Sequence, residues 1–94
     1  MEKIQNFLFK AFRRSPAPTL PFDEKLDMRG YNCPKPVIST KAALRKMQSG
    51  QTLLVLATDP SSEPDITGLV TRSGDELLQT ESVDGEFHYW IKKS

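Results

Sequence analysis

The chain contains one cysteine, and its setting invites chemistry: Asn32-Cys33-Pro34-Lys35-Pro36. A stretch of helical periodicity follows at once, so the sulfur of Cys33 is expected near unpaired N–H groups at the positive end of a helix dipole. That setting favours thiolate over thiol, Lys35 adds a cation, and the thiolate is the reactive form. The competing reading is a small buried hydrophobe, the ordinary condition of a lone cysteine. A polar loop in which Tyr31 is the apolar neighbour argues against it. A single thiol also excludes an internal disulfide, a cysteine-rich zinc module and an intramolecular dithiol pair, and it points to a reducing, cytoplasmic setting.

Three cations and an acid are placed to assist. Lys41 and Arg45 are i, i+4 neighbours off the apolar arc of the helix, and with Lys35 they are expected to form a basic patch beside the thiol for an acidic partner or a phosphate backbone. The alternative is a solvated helix face. Asp59, in Asp59-Pro60-Ser61-Ser62, either adds a charge near the thiol or simply starts a turn. Pro34 and Pro36 are expected to point the sulfur outward, since each presets φ near about −65°. His88, the single histidine, sits on a late strand with no reason to approach Cys33. Trp90 reads as packing or contact. No phosphate-cradling glycine loop or metal-ligand spacing occurs, so neither a cofactor nor a metal is expected.

The elements that must position these residues can be read from period and punctuation. Lys25 to Arg29 alternates, with Leu26 and Met28 on one face, a short strand ended by Gly30. From Val37 to Gln48, stepping 100° per residue, Val37, Thr40, Ala43, Leu44 and Met47 fall within an arc of about 120°. Pro36 fits the first helical position and Gly50 the helix end. Thr52 to Ala57 is a continuous apolar run, a central strand. Ile66, Leu69 and Val70 mark a second helix ending at Gly74. Asp75 to Val83 and Glu86 to Lys92 are strands joined by Asp84-Gly85, a dipeptide suited to a type I′ turn. On the last strand Phe87, Tyr89 and Ile91 share one face, with His88, Trp90 and Lys92 on the other. Two helices cannot cover both faces of four strands. The expected fold is therefore an α+β two-layer sandwich, βαβαββ, with both helices on one face of a mixed sheet and the other face solvated or used for contact.

Ninety-four residues suit one small domain, and a net charge of +1 with a pI of 7.9 argues against strong nucleic-acid binding, where a pI above about 9 is expected. The balance conceals a division. Residues 1–22 carry a net +3 and residues 23–94 a net −2. In the first segment Ile4, Phe7, Leu8, Ala11 and Phe12 follow helical spacing, and Pro16, Pro18 and Pro21 then form a stiff linker. This leader is expected to order only on a partner, with weak membrane-surface or protein contact through residues 1–14. The domain proper is expected over 23–94.

Taken together, Leu26-Asp27, Gly30, the Cys33-Pro34-Lys35-Pro36 run, the apolar strand ending before Asp59-Pro60, and Asp65-Ile66 in the second helix resemble the TusA/SirA-like sulfur carrier family. The CPxP motif is that family's signature, and the resemblance spans roughly Leu26 to Lys92. It implies a sandwich like the C-terminal domain of bacterial translation initiation factor three. It also implies that Cys33 takes sulfane sulfur from a cysteine desulfurase or similar donor and passes it as a persulfide to an acceptor protein, as in tRNA thiolation or molybdenum cofactor assembly. The single cysteine agrees with that chemistry, because a second thiol would release the cargo by forming a disulfide. A different class of reading is a non-catalytic regulatory or protein- and RNA-binding module that uses an exposed sheet face (His88, Trp90) and the leader.

Overall fold

The computed structural model describes residues 20–94. The helical stripe expected of the leader, most of its proline linker and the contact expected through residues 1–14 lie outside the described residues. The element order is β1 (Glu24–Met28), α1 (Lys35–Lys46), β2 (Thr52–Ala57), α2 (Ser62–Ser73), β3 (Glu76–Val83) and β4 (Glu86–Lys92). The four strands form one mixed sheet in the order β1-β2-β4-β3, with β1 parallel to β2 and the other pairings antiparallel. This is the two-layer βαβαββ sandwich that the sequence predicts.

Alternation on the strands explains which face meets the helices. Leu53, Val55 and Ala57 of β2 and Tyr89 and Ile91 of β4 join Leu44 and Met47 of α1 and Ile66, Leu69 and Val70 of α2 in one buried core. Leu26, Val37, Ala43, Leu77 and Phe87 pack on its edge. Thr40 lies in the same layer; it is buried because its hydroxyl donates to the Pro36 carbonyl at 2.7 Å, one turn back. At the β3–β4 hairpin, Asp84 and Gly85 have φ of 51° and 81°, the paired positive values that a type I′ turn requires.

Some boundaries differ from expectation for identifiable reasons. α1 starts at Lys35 rather than at Pro36, since the Ile38 N–H already closes on the Pro34 carbonyl at 3.0 Å. It ends at Lys46 because Met47 turns extended and its N–H bonds the Leu44 carbonyl. β3 carries an irregularity between Leu77 and Gln79, which puts Leu78 on the surface; no glycine or proline marks it in the sequence.

On the sheet face away from the helices Trp90 packs, one of the two roles read for it, and lacks the exposure that the binding-module reading needs. Trp90 is 2% exposed and Leu54, its partner across the ladder, 7%. The Trp90 indole N–H donates to the Leu20 carbonyl at 3.1 Å, so the segment leading into β1 supplies the hydrogen bond that a buried indole needs.

Candidate functional site

The loop between β1 and α1 is fastened to the end of β2. Gly30, with φ of 88°, turns the chain, and its N–H donates to the Thr58 hydroxyl at 2.9 Å. Three residues on, the Cys33 N–H donates to Asp59 Oδ2 at 2.6 Å, while Asp59 Oδ1 accepts from the Ser61 N–H at 3.1 Å. Asp59 therefore both starts its own turn and holds the cysteine loop. The two readings weighed from sequence are compatible.

Cys33 is exposed and unpaired. It immediately precedes Pro34, which caps α1 with φ of −98°, and the Cys33–Pro34 peptide is cis. Pro34 is exposed and Pro36 is buried in the first helical turn, so one proline shapes the rim and the other anchors it. The thiol does not enjoy the anion-favouring setting expected of a helix terminus. Its S–H donates to Asp65 Oδ2 at 3.0 Å. That hydrogen bond, then partial loss of hydration and the negative charges of Asp65 and Asp59, push the thiol above the ordinary cysteine value. Both carboxylates favour the uncharged form, in the sense opposite to the helix end.

The three cations expected to form a basic patch, all on α1, meet different features. Lys35 sits with its Nζ 5.8 Å from the centroid of the Tyr31 ring. Lys41 lines a groove of about 310 Å³ between the helices, with Val37, Ile38, Leu69 and Arg72. This groove runs into a smaller one of about 260 Å³ lined by Cys33, Pro34, Val37, Pro64, Asp65 and Arg72. Val37 and Arg72 belong to both. Arg45 is exposed in the last turn of α1 and lines neither. A larger groove of about 460 Å³ between β1 and α1, floored by Leu26, Ala43, Met47 and Leu53, does not include the cysteine.

Sequence reading assigned no role to Asp65 or Arg72. The signal was present: they are seven residues apart on α2, two helical turns, and so share a face. What was missing was that this face meets the cysteine loop, a matter of tertiary packing. His88 is half-buried on the opposite sheet face, with Nδ1 3.3 Å from Glu81 and Nε2 3.2 Å from Glu86. Glu86 also pairs with Arg29, which holds Asp27 down to about 2 through its side-chain hydrogen bond. That network is separate from the thiol. Among the described residues no group of acidic, histidine or cysteine side chains has the arrangement of a metal site, and no helix is long and apolar enough to cross a membrane.

Known proteins resemble this chain over most of the described residues. The profile of the family described as Sulfurtransferase TusA matches residues 24–93. The sulfur carrier protein TusA of Allochromatium vinosum is 45% identical over 73 residues, covering 78% of this chain and 96% of that protein. The sulfur carrier protein TusA of Pseudomonas putida is 44% identical over 71 residues, covering 76% of this chain and 89% of that protein. The crystal structure of a SirA-like protein from Desulfitobacterium hafniense superposes with a TM-score of 0.68 at 25% identity, covering 74% and 96% of the two chains.

Proposed function

The chain belongs to the Sulfurtransferase TusA family, a family of sulfur carriers, and from that premise we propose that Cys33 accepts sulfane sulfur as a persulfide and relays it to an acceptor protein. The observation that carries the reading is the exposed, solitary thiol of Cys33 at the mouth of a groove between α1 and α2. Exposure lets a donor's persulfide reach the sulfur. Solitude leaves the loaded form without an internal thiol to attack it. Turnover requires two other proteins in sequence, a cysteine desulfurase or comparable donor and a downstream acceptor such as one serving tRNA thiolation or molybdenum cofactor assembly, in a reducing cytoplasm.

Pro34 and Pro36 position the sulfur, and Asp59 holds the loop by its bond to the Cys33 N–H. The groove supplies the docking surface. Val37, Leu69 and the 59%-exposed Ile38 give it an apolar floor, and Lys41 and Arg72 give it positive charge. Such a surface selects a partner that presents an apolar anchor beside carboxylates. Lys35 and Arg45 extend the positive field at its margins.

The test is intact-mass spectrometry after incubation with a desulfurase and cysteine. The wild-type chain is expected to gain the mass of one sulfur atom and Cys33→Ala to gain none. Absence of the gain in the wild type, or its persistence in Cys33→Ala, overturns the reading.

A further inference from the structure

Asp65 occupies a place beside Cys33 that a persulfide anion does not favour. The Cys33 S–H donates to Asp65 Oδ2 at 3.0 Å, and Asp59 Oδ2 lies 2.6 Å from the backbone nitrogen of the same residue. Asp65 is partly buried in the first turn of α2. The start of that helix is pinned to the sheet by the 2.8 Å bond between the Ser62 and Tyr89 hydroxyls. The charged groups around the sulfur are thus Asp59 from the β2–α2 loop and Asp65 and Arg72 from α2, while Lys35 of α1 lies against Tyr31. Among the described residues no cation donates a hydrogen bond to the sulfur, whereas a carboxylate accepts one from it.

The exchange is Cys33–SH + R–S–S⁻ → Cys33–S–S⁻ + R–SH. The outer sulfur of the donor bonds to Cys33 Sγ as its bond to the inner sulfur breaks. The electron pair stays on the inner sulfur, which takes up the proton released by Cys33, so no outside oxidant or reductant is needed. The two ends of this exchange differ at Asp65. The uncharged thiol donates a hydrogen bond to it; the persulfide anion has no proton to give and sets a negative charge against it.

Resting on the persulfide reading above, we propose that Asp65 sets the direction of sulfur flow: its carboxylate stabilises the discharged thiol relative to the loaded persulfide, so the loaded carrier gives up its sulfur readily. The N-terminus of α1 acts in the opposite sense, since its N–H groups favour an anion. Asp65 tips that balance toward discharge. Its contact with the reacting sulfur makes it a catalytic residue of the carrier rather than a structural one.

The experiment uses the full chain as wild type, Asp65→Asn and Asp65→Glu. Each is loaded with a desulfurase and cysteine, freed of donor, and equilibrated at a fixed ratio of glutathione to glutathione persulfide, the loaded fraction being read by intact mass. Asp65→Asn is expected to hold its sulfur about tenfold more firmly, because the persulfide anion no longer faces a carboxylate. Its discharged thiol is expected to alkylate with a midpoint at lower pH. Asp65→Glu keeps the charge and stays nearer to wild type, which separates the electrostatic effect from any disturbance of α2. Equal loaded fractions and equal alkylation midpoints in wild type and Asp65→Asn, with both proteins loading, overturn the role of Asp65 and leave the carrier reading intact. Failure of the wild type to load overturns the carrier reading and this proposal with it.

Discussion

A thiol that donates to a carboxylate alkylates at a rate set by its small ionised fraction, so the pH at which Cys33 reacts is a direct reading of its surroundings. The sign follows from the causes: the Asp65 hydrogen bond, reduced hydration and two negative charges all favour the protonated form and raise the value. The rate of alkylation by iodoacetamide is therefore expected to keep rising past the pH at which an ordinary cysteine levels off; a midpoint below that of a free cysteine would refute the geometry. The proposed carrier residue could be singled out in the sequence, because one cysteine ahead of Pro34-Lys35-Pro36 leaves no competing thiol. Its ionisation could not be read there. Proximity to a helix end can be read along the chain, whereas Asp65 stands 32 positions away and reaches the sulfur through packing alone.

The elements were legible where pattern and punctuation agree. Thr52–Ala57 is bounded as predicted, Gly74 closes α2 in the left-handed conformation with φ of 81°, and the Asp84-Gly85 turn joins β3 to β4. The β3 irregularity was hidden because the ladder shift involves residues of ordinary strand type. What sequence could not give is how α2 is tied down at its start. Ser62 is buried and its hydroxyl meets that of Tyr89, from β4, at 2.8 Å. Tyr89→Phe leaves that serine without its partner, and the expected cost is about 1–3 kcal/mol. Urea unfolding monitored by circular dichroism checks the loss, and an unchanged midpoint would show that the hydroxyl pair contributes nothing. Since Asp65 lies in the same first turn of α2, the same variant is expected to move the alkylation midpoint of Cys33 toward the ordinary cysteine value.

At the scale of the molecule, two cations of different helices, Lys41 and Arg72, meet in one groove. The three cations grouped from sequence meet different features: Lys35 lies against Tyr31, Arg45 stands in the last turn of α1, and Lys41 shares the interhelical groove with Arg72. Reversal of charge at Lys41→Glu, in a residue with no bond to the cysteine, is expected to slow sulfur transfer from an acidic donor about tenfold at low salt and to matter less as salt rises. Transfer rates that are equal at every ionic strength would remove the groove from consideration. The burial of Trp90 belongs to this scale too. Strand alternation placed it correctly on the second face, but the Leu20 carbonyl that receives its N–H comes from 70 positions earlier in the chain. The strand order has a further consequence for how the protein is made. β4 is the last strand to emerge during synthesis, yet it lies between β2 and β3 and supplies Tyr89 and Ile91 to the core. Until residues 86–92 have left the ribosome, β2 lacks its antiparallel neighbour and Ser62 its hydroxyl partner. A nascent chain therefore carries Cys33 for some time before β4 is in place to support the helix that holds Asp65 beside it.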